Sequence, residues 1–179
     1  MAVFFTSDTH FGHGGALGLF GRPFASVRAM DEALIARWNA TVGRGDVVWH
    51  LGDFALGPAI ARAGALLDAL AGEKHLIAGN NDPAAVRALP GWASVADYAE
   101  LALDGAQLVL CHFPFRSWSG MSKGALNLHG HSHGKMAPLP RQIDVGVDAW
   151  DFAPVALERL LHAKRRRPTK RARPAGGPP

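Results

Sequence analysis

The sequence has 179 residues, 48% of them hydrophobic and 19% charged, the makeup of an ordinary globular chain with room for one core. Its single cysteine, Cys111, excludes an intramolecular disulfide framework and a cysteine-rich structural zinc site. The formal charge of +4 belongs to the end of the chain: from Lys164 onward, KRRRPTKRARPAGGPP holds seven Lys/Arg and no acid, leaving 12 basic against 15 acidic side chains in the body.

Two segments are therefore expected, a folded domain over 1–163 and a basic tail over 164–179. The tail is too polar and too rich in Pro and Gly to pack, and disorder is expected there. Its basic groups suit nucleic acid or anionic lipid; a merely solubilising extension is the alternative. No apolar run reaches the roughly 20 residues needed to span a bilayer. The first residues enter an apolar stretch, Ala2-Val3-Phe4-Phe5, without a basic leader. A cytoplasmic protein without membrane contact is expected, as a monomer or a homodimer.

In chain order, Ala2–Thr6 reads as a buried strand and Ser7 to Pro23 as a Gly-rich loop. Ser26 has the chemistry of an N-cap for a helix to about Thr41, with Met30, Leu34, Ile35, Trp38 and Val42 on its apolar face. Asp46–Leu51 is a second strand. Pro58 opens a helix that Gly72 closes, and His75–Ala78 is a third strand. Asp82-Pro83 resembles an N-cap followed by a first-turn proline.

The pattern then changes. Tyr98–Leu103, Gln107–His112, Ala125–His129 and Gln142–Val147 are short strands without long helices between them, and Asp104-Gly105 is a hairpin turn. Pro154–Ala163 closes the domain as a helix. An α/β first half and a strand-rich second half predict a layered α/β sandwich of two mixed β-sheets flanked by helices.

Side chains able to bind metal recur after the strands: Asp8-Thr9-His10, Gly52-Asp53, Gly79-Asn80-Asn81-Asp82, Cys111-His112 and Gly130-His131-Ser132-His133. In an extended chain, D-x-H and H-x-H spacing would point both side chains the same way. Each motif alone is weak; Gly79–Asp82 by itself reads as a turn and helix cap. The ordered set, each member following an apolar run, has no explanation in core packing.

That ordered set, D-x-H, G-D, G-N-x-D, H and G-H-x-H, resembles the calcineurin-like metallophosphoesterases, over residues 3 to about 148. The run Asp144-Val145-Gly146-Val147-Asp148-Ala149-Trp150 is similar to the small bacterial and phage members. The resemblance implies the metallophosphoesterase fold and a hydrolase acting on a small phosphate ester or nucleotide. It also implies that Asp8, His10 and His133 hold one divalent ion, that Asn80, His112 and His131 hold a second, and that Asp53 bridges them. A bridging hydroxide, acidified by both ions, would attack phosphorus in line with the leaving oxygen. Imidazole, carboxylate and amide ligands suit Mn²⁺ foremost, with Fe, Zn²⁺ or Ni²⁺ as alternatives, better than Ca²⁺.

One position departs from the family. Many members read G-N-H-D or G-N-H-E in the third motif, where the histidine is held to protonate the leaving group; here the residue is Asn81. An amide cannot act as a general acid, a role worth roughly 10²–10⁴-fold in rate. A phosphodiesterase is therefore expected ahead of a phosphomonoesterase, with a binding scaffold that no longer turns over as a third reading.

His13 is a candidate replacement acid, against a solvated loop histidine. Arg116 offers a bidentate grip on phosphate and Trp118 a stacking surface, against a surface arginine and a packed tryptophan. Asn81 itself is a candidate contact to substrate. His50 and His129 read as packed or supporting residues, His75 and His162 as bystanders, and Cys111 as a small buried side chain. Asp144 and Asp148 are candidates to orient a ligand histidine from behind.

Overall fold

A computed structural model describes residues 1–163; the basic segment, and with it the disorder and binding expected there, lies outside the described residues. Two sheets form. The first joins β1 (Val3–Thr6), β2 (Val47–His50), β3 (Glu73–Ile77), β4 (Ser94–Ala96) and a short β9 (Val155–Ala156) in the order β4-β3-β2-β1-β9. Its first four strands are parallel, and β9 runs antiparallel to β1. The second joins β5 (Tyr98–Leu103), β6 (Ala106–Cys111), β7 (Leu126–His129) and β8 (Gln142–Asp144) in chain order. There β5 and β6 form the expected hairpin, and β6, β7 and β8 are parallel. The fold is therefore the layered α/β sandwich of two mixed sheets.

Strand alternation decides which layer each side chain joins. In β1, Phe4 packs with Val48 and Leu76 against the helices, while its neighbour Phe5 faces the second sheet with Leu51 and Ile77. In β6, Leu108 and Leu110 point into the space between the sheets, and Val109 points away. The outer face of the first sheet is covered by α2 (Val27–Thr41) and α3 (Ala63–Ala69), through Met30, Leu34, Trp38, Leu66 and Leu67. Ser26 caps α2 as expected, its hydroxyl accepting from the Ala29 amide at 3.1 Å.

Several boundaries differ from expectation. The loop over 7–23 contains a one-turn helix, α1 (Gly15–Leu19). The helix expected from Pro58 begins as a 3₁₀ turn, Gly57–Arg62, before α3. The strand β4 was hidden by its length of three residues. The last strand stops at Asp144, because Gly146 turns the chain into a 3₁₀ turn, Val147–Ala149. The expected closing helix begins as strand β9 and becomes helical only over α5 (Leu157–Ala163). A four-residue helix, α4 (Ala84–Arg87), follows Pro83, and Asp82 does not cap it. Among the described residues no helix is long and apolar enough to cross a membrane.

Candidate metal centre

The carboxyl ends of β1, β2, β3, β6, β7 and β8 share one rim, where loop residues from different strands converge, as parallel sheets favour. Backbone bonds zip the loops together. The amides of Asp8, His10 and Phe11 donate to the carbonyls of Gly52, Asp53 and Phe54 at 2.9, 3.0 and 2.9 Å. The two sheets are joined at the same rim by the His131 amide, which donates to Asp8 Oδ2 at 2.9 Å.

The D-x-H and H-x-H motifs are not extended, which corrects the geometry expected of them. Asp8, His10, Asp53, His131 and His133 all have positive φ, between 48° and 65°. A left-handed residue other than glycine costs on the order of 1–2 kcal/mol. Such strain persists only where surrounding contacts over-determine it, and it clusters at functional sites. Five of the seven expected ligands carry it. The shared direction of Asp8 and His10 thus comes from a kinked loop just past the strand.

Two glycines are required by close approach. A Cβ on Gly130 would overlap Ser7 Oγ and crowd Asp8 Oδ2, and a Cβ on Gly79 would overlap Asp53 Oδ1. The glycine that precedes each of these ligand motifs lets one backbone pass directly beside another ligand's side chain.

All seven expected ligands line this rim. His10 Nε2 lies 3.9 Å from Asp8 Oδ1 and 3.4 Å from Asp53 Oδ2. His133 Nε2 lies 3.8 Å from Asp8 Oδ1, and His112 Nε2 lies 3.7 Å from Asp53 Oδ1. Asp8, His10 and His133 place one ligand atom each within 4.8 Å of one another, and so do Asp8, Asp53 and His112. Asn80 Oδ1 is 3.0 Å from His112 Nε2. His131 is exposed; its ring meets His112 edge-on at 5.2 Å, and among the described residues the ring nitrogens have no hydrogen-bond partner.

These groups fit divalent ions on physical grounds. Asp8 Oδ1 and both ring nitrogens of His10 are buried without a hydrogen-bond partner, an arrangement too costly to keep unless something else binds there. The Nδ1–H of His112 donates to the Leu51 carbonyl at 2.7 Å, so Nε2 carries a lone pair facing the Asn80 oxygen. Two acceptors face each other there, and a cation between them would satisfy both. Burial lowers the His10 imidazole to about 3, against the opposing pull of Asp53, so it is a neutral ligand at pH 7. Burial raises the Asp8 carboxyl well above its ordinary range, with Asp53 and Asp144 adding repulsion. A cation would relieve this.

Asn81 is beside the centre but engaged. Its amide N–H donates to Asp53 Oδ1 at 2.8 Å and its side-chain amide to Oδ2 at 2.7 Å. His13 is close, with its ring centroid 5.2 Å from that of His10. Burial, then the charge of Arg22, hold the His13 imidazole below its ordinary 6.5. Trp118 corrects the expected stacking surface: it is buried against Val109 and Ala125, and its indole N–H donates to the Ala125 carbonyl at 3.0 Å. Arg116 is exposed in the same loop and makes no hydrogen bond among the described residues, so no distance ties it to the centre. Burial pushes the Cys111 thiol up, in keeping with a small buried side chain.

Five supporting residues surround these ligands, and the sequence marks them unevenly. Asp82 accepts from the amides of Asp53, Phe54 and Gly79 at 2.8, 2.9 and 2.8 Å, clamping two ligand loops where a helix cap was expected. Asp148 accepts from His133 Nδ1 at 2.7 Å. Arg22, which nothing in the sequence marks, forks onto both Asp148 oxygens at 2.8 Å each. Asp144 accepts from the Ser132 hydroxyl at 2.6 Å and the Gly134 amide at 2.8 Å, and so orders the loop that carries His131 and His133. His50 links two loops as well: Nδ1 accepts from the Gly52 amide at 3.2 Å, leaving Nε2–H for Thr9 Oγ1 at 3.0 Å.

Comparison with known proteins agrees with this geometry: the calcineurin-like phosphoesterase family matches residues 1–166. The chain belongs to that family. This makes it a metal-dependent phosphoric ester hydrolase. It is 30% identical to the uncharacterized protein MJ1445 of Methanocaldococcus jannaschii, across 89% of each chain. It is 36% identical to the gene 66 protein of Mycobacterium phage D29, across 86% of this chain and 92% of the phage protein. Among solved structures, the protein of unknown function AQ665 from Aquifex aeolicus superposes with a TM-score of 0.73 at 22% identity, covering 90% of this chain and 98% of that one. That last likeness speaks to the fold alone.

Proposed function

We propose that this phosphoesterase is a dinuclear phosphodiesterase. Asp8, His10 and His133 hold one divalent ion, Asn80, His112 and His131 hold the other, and Asp53 lies between them. Mn²⁺ is the preferred metal, because the set mixes neutral imidazoles with carboxylate and amide oxygens. When bound, the ions supply Lewis acidity and an activated water.

The chain's own residues then set which ester is cleaved. The observation that carries the diester preference is Asn81. Its backbone N–H and its side-chain amide nitrogen each donate to Asp53, and an amide has no proton to give to a departing alkoxide. His13, with its ring 5.2 Å from that of His10, is the candidate replacement, but burial and the charge of Arg22 disfavour its protonated, acidic form. A substrate with a stable leaving group, or a diester with one fewer charge to overcome, suits such a site.

Metal analysis, followed by paired assays with Mn²⁺, tests the reading. Two metal equivalents per chain are expected, with faster cleavage of bis-p-nitrophenyl phosphate than of p-nitrophenyl phosphate. Asp53→Ala should abolish both activities. Undiminished turnover in that variant, or no turnover with any divalent metal, would overturn the assignment.

A further inference from the structure

The loop after His112 presents another aromatic side chain besides the buried Trp118. Phe113 is 44% exposed, and among the described residues it joins none of the three apolar clusters. Its contacts are with the metal centre. The ring lies 5.0 Å from that of His112 at 79°, and 4.8 Å from that of His131 at 61°. Both contacts are edge-on, and among the described residues no ring stacks parallel on Phe113. An open aromatic ring therefore stands beside the half of the centre that holds His112 and His131.

Buried polar groups hold this loop in place. The Phe115 amide donates to Asn127 Oδ1 at 3.1 Å, and Gln142 Nε2 donates to the Phe115 carbonyl at 2.7 Å and to Asn127 Oδ1 at 2.9 Å. Asn127 and Gln142 are both buried. Trp118 anchors the far end of the loop, and Pro114 steers the backbone of Phe113 away from helical conformations. A ring presented on a fixed backbone offers contact area at little cost in conformational entropy. Phe20, on the half of the centre that holds His10 and His133, is already engaged. It lies flat on His133 at 3.4 Å between centroids, 12° from parallel, with the Arg22 guanidinium 5.4 Å and the Lys135 ammonium 5.5 Å from its ring centre. A flat substituent of the ester finds a free ring on the Phe113 side.

We infer that Phe113 is a specificity-determining residue, which stacks on a planar aromatic substituent of the ester such as a nucleobase. The inference rests on the dinuclear reading above and names a substrate class for that site. Every base has a π face, so stacking of this kind selects for a flat ring and not for one particular base.

Binding calorimetry of the Mn²⁺-loaded full chain compares adenosine 5′-monophosphate with ribose 5-phosphate, which lacks only the base. The nucleotide should bind about 5–100-fold more tightly, the range that stacking on one aromatic side chain supplies. That advantage should vanish in Phe113→Ala and in Phe113→Leu, and persist in Phe113→Trp. The leucine variant separates stacking from packing, because it keeps apolar bulk beside His131. All three variants should take up Mn²⁺ as the parent does. Equal binding of the two ligands by the parent, or an advantage that survives in metal-loaded Phe113→Ala or Phe113→Leu, overturns the inference and leaves the dinuclear centre intact. Failure of the parent chain to take up metal overturns the dinuclear reading itself.

Discussion

Asn81 directs its backbone and side-chain N–H groups onto the two oxygens of Asp53, so the third motif braces a carboxylate at the position where many relatives carry a histidine. Identity at one residue thus moves the position from proton transfer to positioning. Asn81→His should raise the ratio of monoester to diester turnover by at least about tenfold, within the range that a general acid supplies. It should also weaken metal binding, since Asp53 loses one of its donors. An unchanged ratio in paired assays of an alkyl phosphate and its diester would count against the proposed reason for diester preference. Asp82 makes a related point. Burial raises its carboxyl, and three backbone amides work against that shift, so it serves as the knot between the Asp53 and Asn80 loops.

At the scale of elements, the helices follow their local chemistry and the ligand loops do not. Ser26 and the apolar stripe of α2 define that helix from the sequence, and its cap forms as expected. Ser26→Ala should therefore cost about 1 kcal/mol in denaturant unfolding, with metal binding unaffected, because the cap is remote from the rim. A much larger loss would mean that the serine does more than cap. The rim loops are kinked and not extended, a difference that spacing alone does not reveal, because a kinked turn can also bring every second side chain to one side. The positive φ values at Asp8 and His10 go with backbone bonds to Gly52 and Asp53, and that at His131 with the bond from its amide to Asp8 Oδ2. Trp118 was equally ambiguous: its loop carries plausible binding chemistry, and only the third cluster, with Val109 and Ala125, decides that it is buried.

For the whole molecule, the burial of titratable groups at one rim makes stability depend on pH and metal. His10 and His50 are each lowered by burial from 6.5 to about 3. Between those values the unfolded chain binds protons that the folded chain refuses. Their contribution is therefore fully present above 6.5 and is lost as pH falls toward 3, at up to about 1.4 kcal/mol per pH unit for each group. Asp8 has the opposite sign: raised above 3.8, it favours the fold at low pH and opposes it as pH rises. Metal-free protein should lose stability on acidification from pH 7 to pH 5, and Mn²⁺ at pH 8 should raise the melting temperature by relieving Asp8. Thermal unfolding across that range, with and without the ion, checks both. A metal-free melting temperature that rises on acidification, or one that Mn²⁺ leaves unmoved at pH 8, would contradict this account.

By itself the sequence determined the layered α/β class, most strands, the capped helix α2 and the residues gathered at one rim. Those features are written in hydrophobic period, turn chemistry and the order of short motifs, all of which are local. Tertiary structure alone decided that Asp82 clamps two loops, that Asn81 braces Asp53, and that Arg22 and Asp148, 126 positions apart, hold His133. A buried arginine or aspartate has no periodicity, and its partner is chosen by which strand ends the fold brings together. The chemistry could therefore be expected from the chain, while the way its ligands are held comes from contacts between residues far apart in it.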